Sequence, residues 1–305
     1  MADTATQKLQ TEQELDRLAR EEGEAPVMVR RHLGAEDVPV VFDSPHSGRF
    51  YPEDFRTAVP LDILREYEDR FVDRLVADAP DKGVTVIAAR FPRAYIDPNR
   101  AADDLDAEML DAVWPEPLSP TAHSVGGTGL VFRVMRDAAP IYDRRLAIDE
   151  VRRRLDLCWL PYHEALEEAL AAHQDRHGVV WHLNCHSMLP VGDTGSPDPG
   201  ESRADFVLGD LHGTTCDPAY TAFVAETLQG LGYSVSVNLP YSGAYIVARH
   251  GRPTQGRHSL QMEINRGLYL DLGTLEQSDG FDGLKRDLGR LAEAVAGFAR
   301  DRIGG

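Results

Sequence analysis

The chain has 305 residues, a formal net charge of -18 at pH 7 and three cysteines. This acidic surplus argues against a nucleic-acid partner, because phosphate contacts need surplus lysine and arginine. No apolar run approaches the roughly 18 residues of a membrane span, and the first residues lack the pattern of a signal peptide. Cys158, Cys185 and Cys216 have no zinc-finger spacing and form no even set, so they fit a reducing cytoplasm.

Strand-like and helix-like segments alternate along the chain after a polar N-terminal extension, residues 1–26, in which Leu15 and Leu18 mark a short helix. We therefore expect one catalytic α/β domain over 27–305, with a layered sheet covered by helices. The predicted strands are 38–43, 84–90, 179–185, 204–209, 233–238, 245–248 and 259–265. The predicted helices are 61–78, 103–112, 142–175, 217–230 and 281–301, and Pro161 should kink or divide the third of them.

The first chemically informative residue is His46, which follows the apolar strand 38–43 in a turn made of Ser-Pro-His-Ser-Gly. Ligands in open α/β sheets bind at such strand ends. A single histidine there is more often an ordinary loop residue than a ligand. Reading His46 as a ligand therefore depends on the other residues described below.

Acidic residues lie on the predicted helix 61–78, where apolar side chains recur at helical spacing. A solvated acidic face with glutamate and arginine pairs explains Glu66, Glu68 and Arg74. Asp69 is singled out only by the family resemblance given below, with Glu68 as the alternative.

The segment from Arg90 to Arg100 ends in Asn99 and Arg100, and Pro92 and Pro98 fix the backbone around it. Arginine binds a carboxylate with two parallel donors, and asparagine adds a donor and an acceptor. A turn salt bridge between Asp97 and Arg100 would explain part of this pattern without a ligand.

His186 stands where the strand 179–185 gives way to a loop rich in Gly, Pro, Asp and Ser. His182 shares its face but lies about 13 Å away at strand spacing, so we interpret His182 as structural. Cys185 faces the other side, which argues against a Cys/His nucleophile. Glu263 lies on the polar face of an alternating strand, 259–265, where it faces either a cleft or solvent.

Together these segments resemble the N-formylglutamate amidohydrolases, zinc enzymes related to the zinc carboxypeptidases. The resemblance runs from about residue 38 to 271. Each motif is short, but the order in which all of them occur along the chain is specific to the family. The matching segments are Ser44-Pro45-His46-Ser47-Gly48, the Asp69 segment, Tyr95-Ile96-Asp97-Pro98-Asn99-Arg100, Thr128-Gly129-Leu130, Trp159-Leu160-Pro161-Tyr162-His163, Cys185-His186-Ser187, Leu208-Gly209-Asp210, Gly213-Thr214, Cys216-Asp217-Pro218, Pro240-Tyr241-Ser242-Gly243-Ala244-Tyr245 and Glu263-Ile264-Asn265-Arg266-Gly267-Leu268-Tyr269.

The resemblance implies a three-layer fold with a mixed central sheet flanked by helices, as in the zinc carboxypeptidases. It also implies a Zn²⁺ ion held by His46, Asp69 and His186, with one coordination position open for water. Glu263 matches the carboxylate that takes the proton from that water.

The same resemblance implies the groups that bind the substrate. Asn99 and Arg100 match the pair that grips a free carboxylate, and Tyr245 would close over the substrate from a mobile loop. Arg93 or Arg133 would meet the oxyanion. Relatives usually carry Asp in place of Asn184 and a second Gly in place of Ala244. These departures leave the acyl amino acid undetermined.

The implied reaction is hydrolysis of N-formyl-L-glutamate, a small-molecule substrate, to formate and L-glutamate. Two alternatives remain. The chain is a hydrolase of another N-acyl amino acid or short peptide, or it is an inactive relative that binds a metal or ligand. The sequence leaves the oligomeric state open.

Overall fold

A computed structural model describes residues 25–31, 36–135 and 139–303. Most of the predicted N-terminal extension, including its short helix, lies outside these ranges, and the division into an extension and one catalytic domain stays a prediction. Within the described ranges the strands form one seven-stranded sheet in the order β1-β3-β2-β4-β7-β5-β6. The strands are β1 (Val27–Arg30), β2 (Val40–Ser44), β3 (Thr85–Ala89), β4 (Val180–Met188), β5 (Phe206–Gly209), β6 (Val235–Val237) and β7 (Arg257–Asn265).

The sheet is mixed, as predicted. Four central strands, β3, β2, β4 and β7, run parallel, β1 is antiparallel to β3, and β5 is antiparallel to β7. Every residue of β2, β3 and β4 is buried, which is typical of parallel strands covered on both faces. The parallel strands therefore end at a common edge, where their terminal side chains meet.

Helices cover both faces of the sheet. The α-helices among the described residues are α1 (Leu61–Leu64), α2 (Val72–Leu75), α3 (Ala122–Val125), α4 (Ile148–Arg154), α5 (Leu160–His177), α6 (Pro218–Gly230), α7 (Tyr245–His250) and α8 (Phe281–Arg300). None of the helices in the described part of the chain is both long and apolar enough to cross a membrane.

The core divides into two clusters because strand side chains alternate between faces. Val40 and Phe42 pack with α6 and α8, while Val41 packs on the opposite face with α5. This arrangement confirms the predicted three-layer α/β fold.

Three predicted elements were wrong or incomplete. The helix 61–78 is broken into α1, the 3₁₀ turn Arg65–Tyr67 and α2, because Glu68 is extended and Phe71 is left-handed with φ 63°. The helix 103–112 is reduced to the 3₁₀ turn Ala107–Met109. The strand 245–248 is helix α7 instead.

The long predicted helix 142–175 begins later, at Ile148, and continues through α4, the π-helical turn Leu155–Trp159 and α5 to His177. The backbone stays helical throughout, and the π turn lies directly before Pro161. A proline interrupts the regular α-helical hydrogen bonds because it lacks an N–H, and the π turn is the local irregularity found here. The strand β1 was not predicted, since it is a short segment whose pairing with β3 is antiparallel at the edge of the sheet.

Candidate active site

Three buried side chains converge at the common edge of the parallel strands. His46 lies in the turn after β2, His186 lies in β4 two residues before its end, and Asp69 lies between the 3₁₀ turn and α2. The Nδ1 atoms of the two histidines are 3.1 Å apart, and the Asp69 Oδ2 atom is 3.2 Å from His46 Nδ1 and 3.1 Å from His186 Nδ1. The fold thus brings together three residues that are up to 140 positions apart in the chain.

The opposite ring nitrogens of both histidines have their own acceptors. His46 Nε2 is 2.7 Å from Asp97 Oδ1, and His186 Nε2 is 2.7 Å from Asn184 Oδ1. Each Nε2 therefore carries the proton and donates it. In a neutral imidazole the other nitrogen, Nδ1, is then left with a lone pair.

Two lone pairs and a carboxylate oxygen that face one another repel unless a proton or a metal cation lies between them. Two imidazoles and one carboxylate form a donor set typical of catalytic zinc, and hydrogen bonds on the outer nitrogens are the usual way of orienting such ligands. His46, Asp69 and His186 therefore fit a Zn²⁺ ion by their chemistry, and they are mutually close enough to share one.

The second oxygen of Asp69 has separate partners. Arg266 Nη2 donates to Asp69 Oδ1 over 3.1 Å, and the Ser187 hydroxyl donates to the same oxygen over 3.2 Å. The Asp69 amide also donates to the His46 carbonyl oxygen over 2.9 Å. The alternative ligand Glu68 instead accepts a 2.7 Å hydrogen bond from Tyr51, so the geometry favours Asp69.

Glu263 lies beside His186 on the neighbouring strand, since the two residues are direct partners in the parallel register of β4 and β7. Gln261 donates to Glu263 Oε1 over 3.0 Å. Burial raises the pKa of the Glu263 carboxyl; the His186 ring opposes this shift and Asp69 adds to it. The carboxylate therefore faces the cluster rather than open solvent.

Arg93 is the predicted oxyanion residue that contacts this cluster. Its guanidinium donates to Asp97 Oδ2 over 2.8 and 3.2 Å, and it also interacts electrostatically with Asp69 and Glu263. Burial opposes ionisation of Asp97, but Arg93 and His46 outweigh it and hold the pKa of that carboxyl well below its usual range. Arg133 is paired with Asp106 over 2.7 Å and is more exposed.

Asn99 and Arg100 lie at the rim of the cluster with contacts to the protein itself. Asn99 Nδ2 is 3.3 Å from His186 Nε2, and its Oδ1 accepts the Ile246 amide over 2.8 Å. Arg100 donates to the Thr128 and Asn99 carbonyl oxygens over 3.3 and 3.0 Å. Within the described part of the chain Arg100 forms no ion pair with Asp97, so the turn salt bridge considered above is absent.

Tyr245 is the first residue of α7 and is not in a loop. Its hydroxyl accepts a 2.8 Å hydrogen bond from Arg249, and its ring packs against Trp159 and His163. Tyr245 precedes Ile246, whose backbone amide donates a hydrogen bond to Asn99. This hydrogen bond connects α7 to the rim of the site.

A series of buried, hydrogen-bonded polar side chains lies next to the site. His182 contacts Ser259 Oγ over 2.7 Å and Asp43 Oδ1 over 2.8 Å, which agrees with its structural interpretation. Asp43 also accepts hydrogen bonds from Asn184 over 2.8 Å and from Tyr162. Because Asn184 in turn accepts a hydrogen bond from His186, this series of hydrogen bonds orients one of the proposed ligands.

Sequence reasoning missed Asp97, Asn184 and Arg266 as partners of the ligands. Asn184 lies two residues before His186, and the strand period of two is the signal that would have placed its side chain on the same face. Asp97 was considered only as a partner of Arg100. Nothing local connects Arg266 with Asp69, which is 197 positions away.

Comparisons with known proteins agree over most of the chain. The family model described as N-formylglutamate amidohydrolase matches residues 38–270. An N-formylglutamate deformylase of Pseudomonas aeruginosa is 28% identical over 277 residues, covering 87% of this chain and 95% of that protein. A crystal structure of an N-formylglutamate amidohydrolase from Ralstonia eutropha JMP134 is 43% identical, with a TM-score of 0.86, and the match covers 92% of this chain and 100% of that one. The chain belongs to the N-formylglutamate amidohydrolase family.

Proposed function

We propose that this protein is a zinc-dependent amidohydrolase that cleaves N-formyl-L-glutamate to formate and L-glutamate. The observation that carries the proposal is the convergence of two Nδ1 lone pairs and the Asp69 carboxylate directly beside Glu263. The names of the relatives support the substrate, and the donor set supports the metal.

His46, Asp69 and His186 would hold the ion. When bound, zinc polarises a carbonyl group and lowers the pKa of a coordinated water toward about 7. Asp97 and Asn184 hold the outer nitrogens of the two histidines, and Arg266 holds the outer oxygen of Asp69. These three residues keep the donor atoms aimed at one point.

Glu263 acts as the general base and then as the general acid. Its carboxylate accepts a proton from the attacking water and returns it to the leaving amide nitrogen, so that glutamate departs with a neutral or protonated amine. The position beside His186 supports this role, because the two side chains project from the same face of adjacent strands.

Arginine side chains would bind the charged parts of the substrate. Arg93 lies close enough to Glu263 and Asp69 to interact with both, which favours it over Arg133 for stabilising the developing oxyanion. Asn99 and Arg100 at the rim would bind a carboxylate of the glutamate, and Tyr245 would pack against its side chain.

The decisive experiment compares turnover of N-formyl-L-glutamate with the N-acetyl and N-succinyl analogues on zinc-loaded protein. We expect the formyl substrate to have the highest kcat/KM. Preference for another acyl group would redirect the assignment to a different N-acyl amino acid. No turnover of any analogue would identify an inactive relative.

The metal is tested separately by elemental analysis of wild type and His186→Ala after dialysis against buffered zinc. We expect the variant to bind one zinc ion fewer than wild type and to lose activity, since three ligands are required. Full zinc occupancy in the folded variant would remove His186 from the site.

A further inference from the structure

A second cluster of metal-binding groups lies outside the active site. Asp37, just before β2, faces His173 and His177 near the end of α5. Asp37 Oδ1 is 3.8 Å from His173 Nδ1, and Asp37 Oδ2 is 3.8 Å from His177 Nε2. The two distances end on different oxygens of Asp37, and one donor atom from each of the three residues lies within 4.8 Å of the other two. Donors around one tetrahedral zinc ion lie about 3.4 Å apart, so metal binding would draw the three side chains closer together.

Within the described part of the chain, one ring nitrogen of each histidine, His173 Nδ1 and His177 Nε2, has no hydrogen bond. His173 Nε2 lies 3.2 Å from the hydroxyl oxygen of the buried Thr85. If this ring nitrogen donates to Thr85, then Nδ1 presents its lone pair to Asp37. His177 Nε2 is buried and, in the described part of the chain, has no hydrogen-bond partner. An unpaired buried nitrogen aimed at a carboxylate is costly without a proton or a metal.

We propose that Asp37, His173 and His177 form a second divalent transition-metal site, with zinc as the best-matched ion. Histidines spaced by four residues project from the same side of a helix, and two imidazoles with one carboxylate favour zinc over calcium or magnesium. Their position in the last turns of α5 adds the favourable interaction of a cation with the carbonyl end of a helix.

Arg176 is the natural competitor of this ion. Its guanidinium forms an ion pair with Asp37, and its side chain is 65% exposed, so it is free to swing into solvent. The metal therefore replaces Arg176 at the carboxylate. Removing the arginine should therefore tighten metal binding. If the three residues only contact one another and bind no metal, the same change would not increase zinc binding.

The site would join α5 to the chain that leads into β2. Asp37 lies three residues before β2, and β2 ends two residues before His46. Binding should therefore stabilise the fold from the side opposite the catalytic edge of the sheet, without contributing a group to the reaction.

The test is zinc stoichiometry by equilibrium dialysis of the full chain. We expect wild type to bind two ions, and His177→Ala and His186→Ala to bind one each. His123→Ala, at an exposed histidine, is the matched control and should bind two. If His177→Ala lowers the count by one while His186→Ala does not, the second site stands and the proposed catalytic metal fails.

Two variants at exposed residues test the site independently, in case His177→Ala misfolds. Asp37→Asn should weaken the second site by more than about 100-fold, because even loss of an outer partner costs about 10- to 100-fold. Arg176→Gln should strengthen it several-fold. Equal zinc counts for wild type, Asp37→Asn and His177→Ala would overturn the proposal.

Discussion

At the scale of single residues, the proposed metal ligands are oriented by the hydrogen bonds that their outer atoms make. His46 and His186 aim Nδ1 at Asp69 because Asp97 and Asn184 accept hydrogen bonds from Nε2. Loss of such an outer partner commonly costs about 10- to 100-fold in metal affinity or activity. Asn184 is therefore a positioning residue of the proposed site, although it is proposed neither as a ligand nor as a base.

Glu263→Gln tests the proton carrier. The amide keeps the shape of the side chain but cannot accept a proton, so we expect kcat to fall by about 10² to 10⁴-fold while zinc stays bound. Steady-state kinetics with metal analysis measure both effects. Glu226→Gln, on the exposed side of α6, should leave kcat unchanged. A near-normal kcat in zinc-loaded Glu263→Gln would exclude this role.

Arg100→Lys tests the carboxylate clamp. Lysine keeps the charge but loses the two-pronged geometry, so we expect kcat/KM to fall by roughly 10- to 200-fold, equivalent to about 1.5 to 3 kcal/mol. The defect should shrink on a substrate whose corresponding carboxylate is amidated.

The contacts of Arg100 with the Thr128 and Asn99 carbonyls define the alternative outcome. An equal loss on acid and amide, with a lower melting temperature, would show that Arg100 holds the loop. Arg286→Lys, at an exposed position of α8, should change neither quantity.

At the scale of elements, the turn that carries His46 packs directly against the segment after β3. A Cβ atom added to Gly48 would lie 2.0 Å from the Phe91 carbonyl oxygen, so neither backbone segment has room for a side chain. The close approach positions the His46 turn next to the segment that supplies Asp97.

Gly48→Ala should therefore lower the free energy of unfolding by about 1 to 3 kcal/mol or more and weaken zinc binding as His46 shifts. Chemical denaturation and zinc titration measure the two effects. Gly297→Ala in α8 is the matched control, because nothing lies within 4 Å of its added Cβ. That variant should be stabilised by up to about 1 kcal/mol. Unchanged stability in Gly48→Ala would show that the turn moves freely.

At the scale of the whole molecule, Asp43 joins the strands at the centre of the sheet to α5. Burial opposes its ionisation, but His182, Tyr162 and Asn184 outweigh it and lower the pKa of Asp43 below 3.8. A carboxyl whose pKa is lower in the folded state stabilises the fold above the unfolded value, and this contribution is lost as the pH falls through the folded value.

We expect Asp43→Asn to lower the free energy of unfolding at pH 7 by about 2 to 5 kcal/mol. The difference between variant and wild type should begin to shrink as the pH falls below about 4, because the Asp43 carboxyl of the unfolded wild type is protonated there while the folded carboxyl, with its lower pKa, is still ionised. Urea denaturation at several pH values measures this trend. Asp62→Asn, an exposed residue of α1, should change stability by less than about 0.5 kcal/mol. A difference that stays constant down to pH 3 would contradict the lowering of the Asp43 pKa in the folded state.

Local sequence patterns were sufficient for the elements that carry His46, His186 and Glu263. Each lies in or next to an apolar or alternating strand, and the period of two determines which neighbours share a face. The resemblance of short ordered motifs then predicted the family, which the comparison over residues 38–270 confirms.

Other features depended on contacts between distant segments. The sequence Tyr-Ile-Val-Ala at 245–248 has strand propensity, yet it forms α7, where the Ile246 amide donates to Asn99 from 147 positions away. Helix 61–78 is interrupted where the Asp69 amide binds the His46 carbonyl. Periodicity reports only which side of an element is apolar, whereas these breaks are decided by buried hydrogen bonds that exist only after the sheet has formed. For the same reason the sequence determined which residues are able to bind a metal, and the tertiary structure alone decided which nitrogen and oxygen atoms face one another.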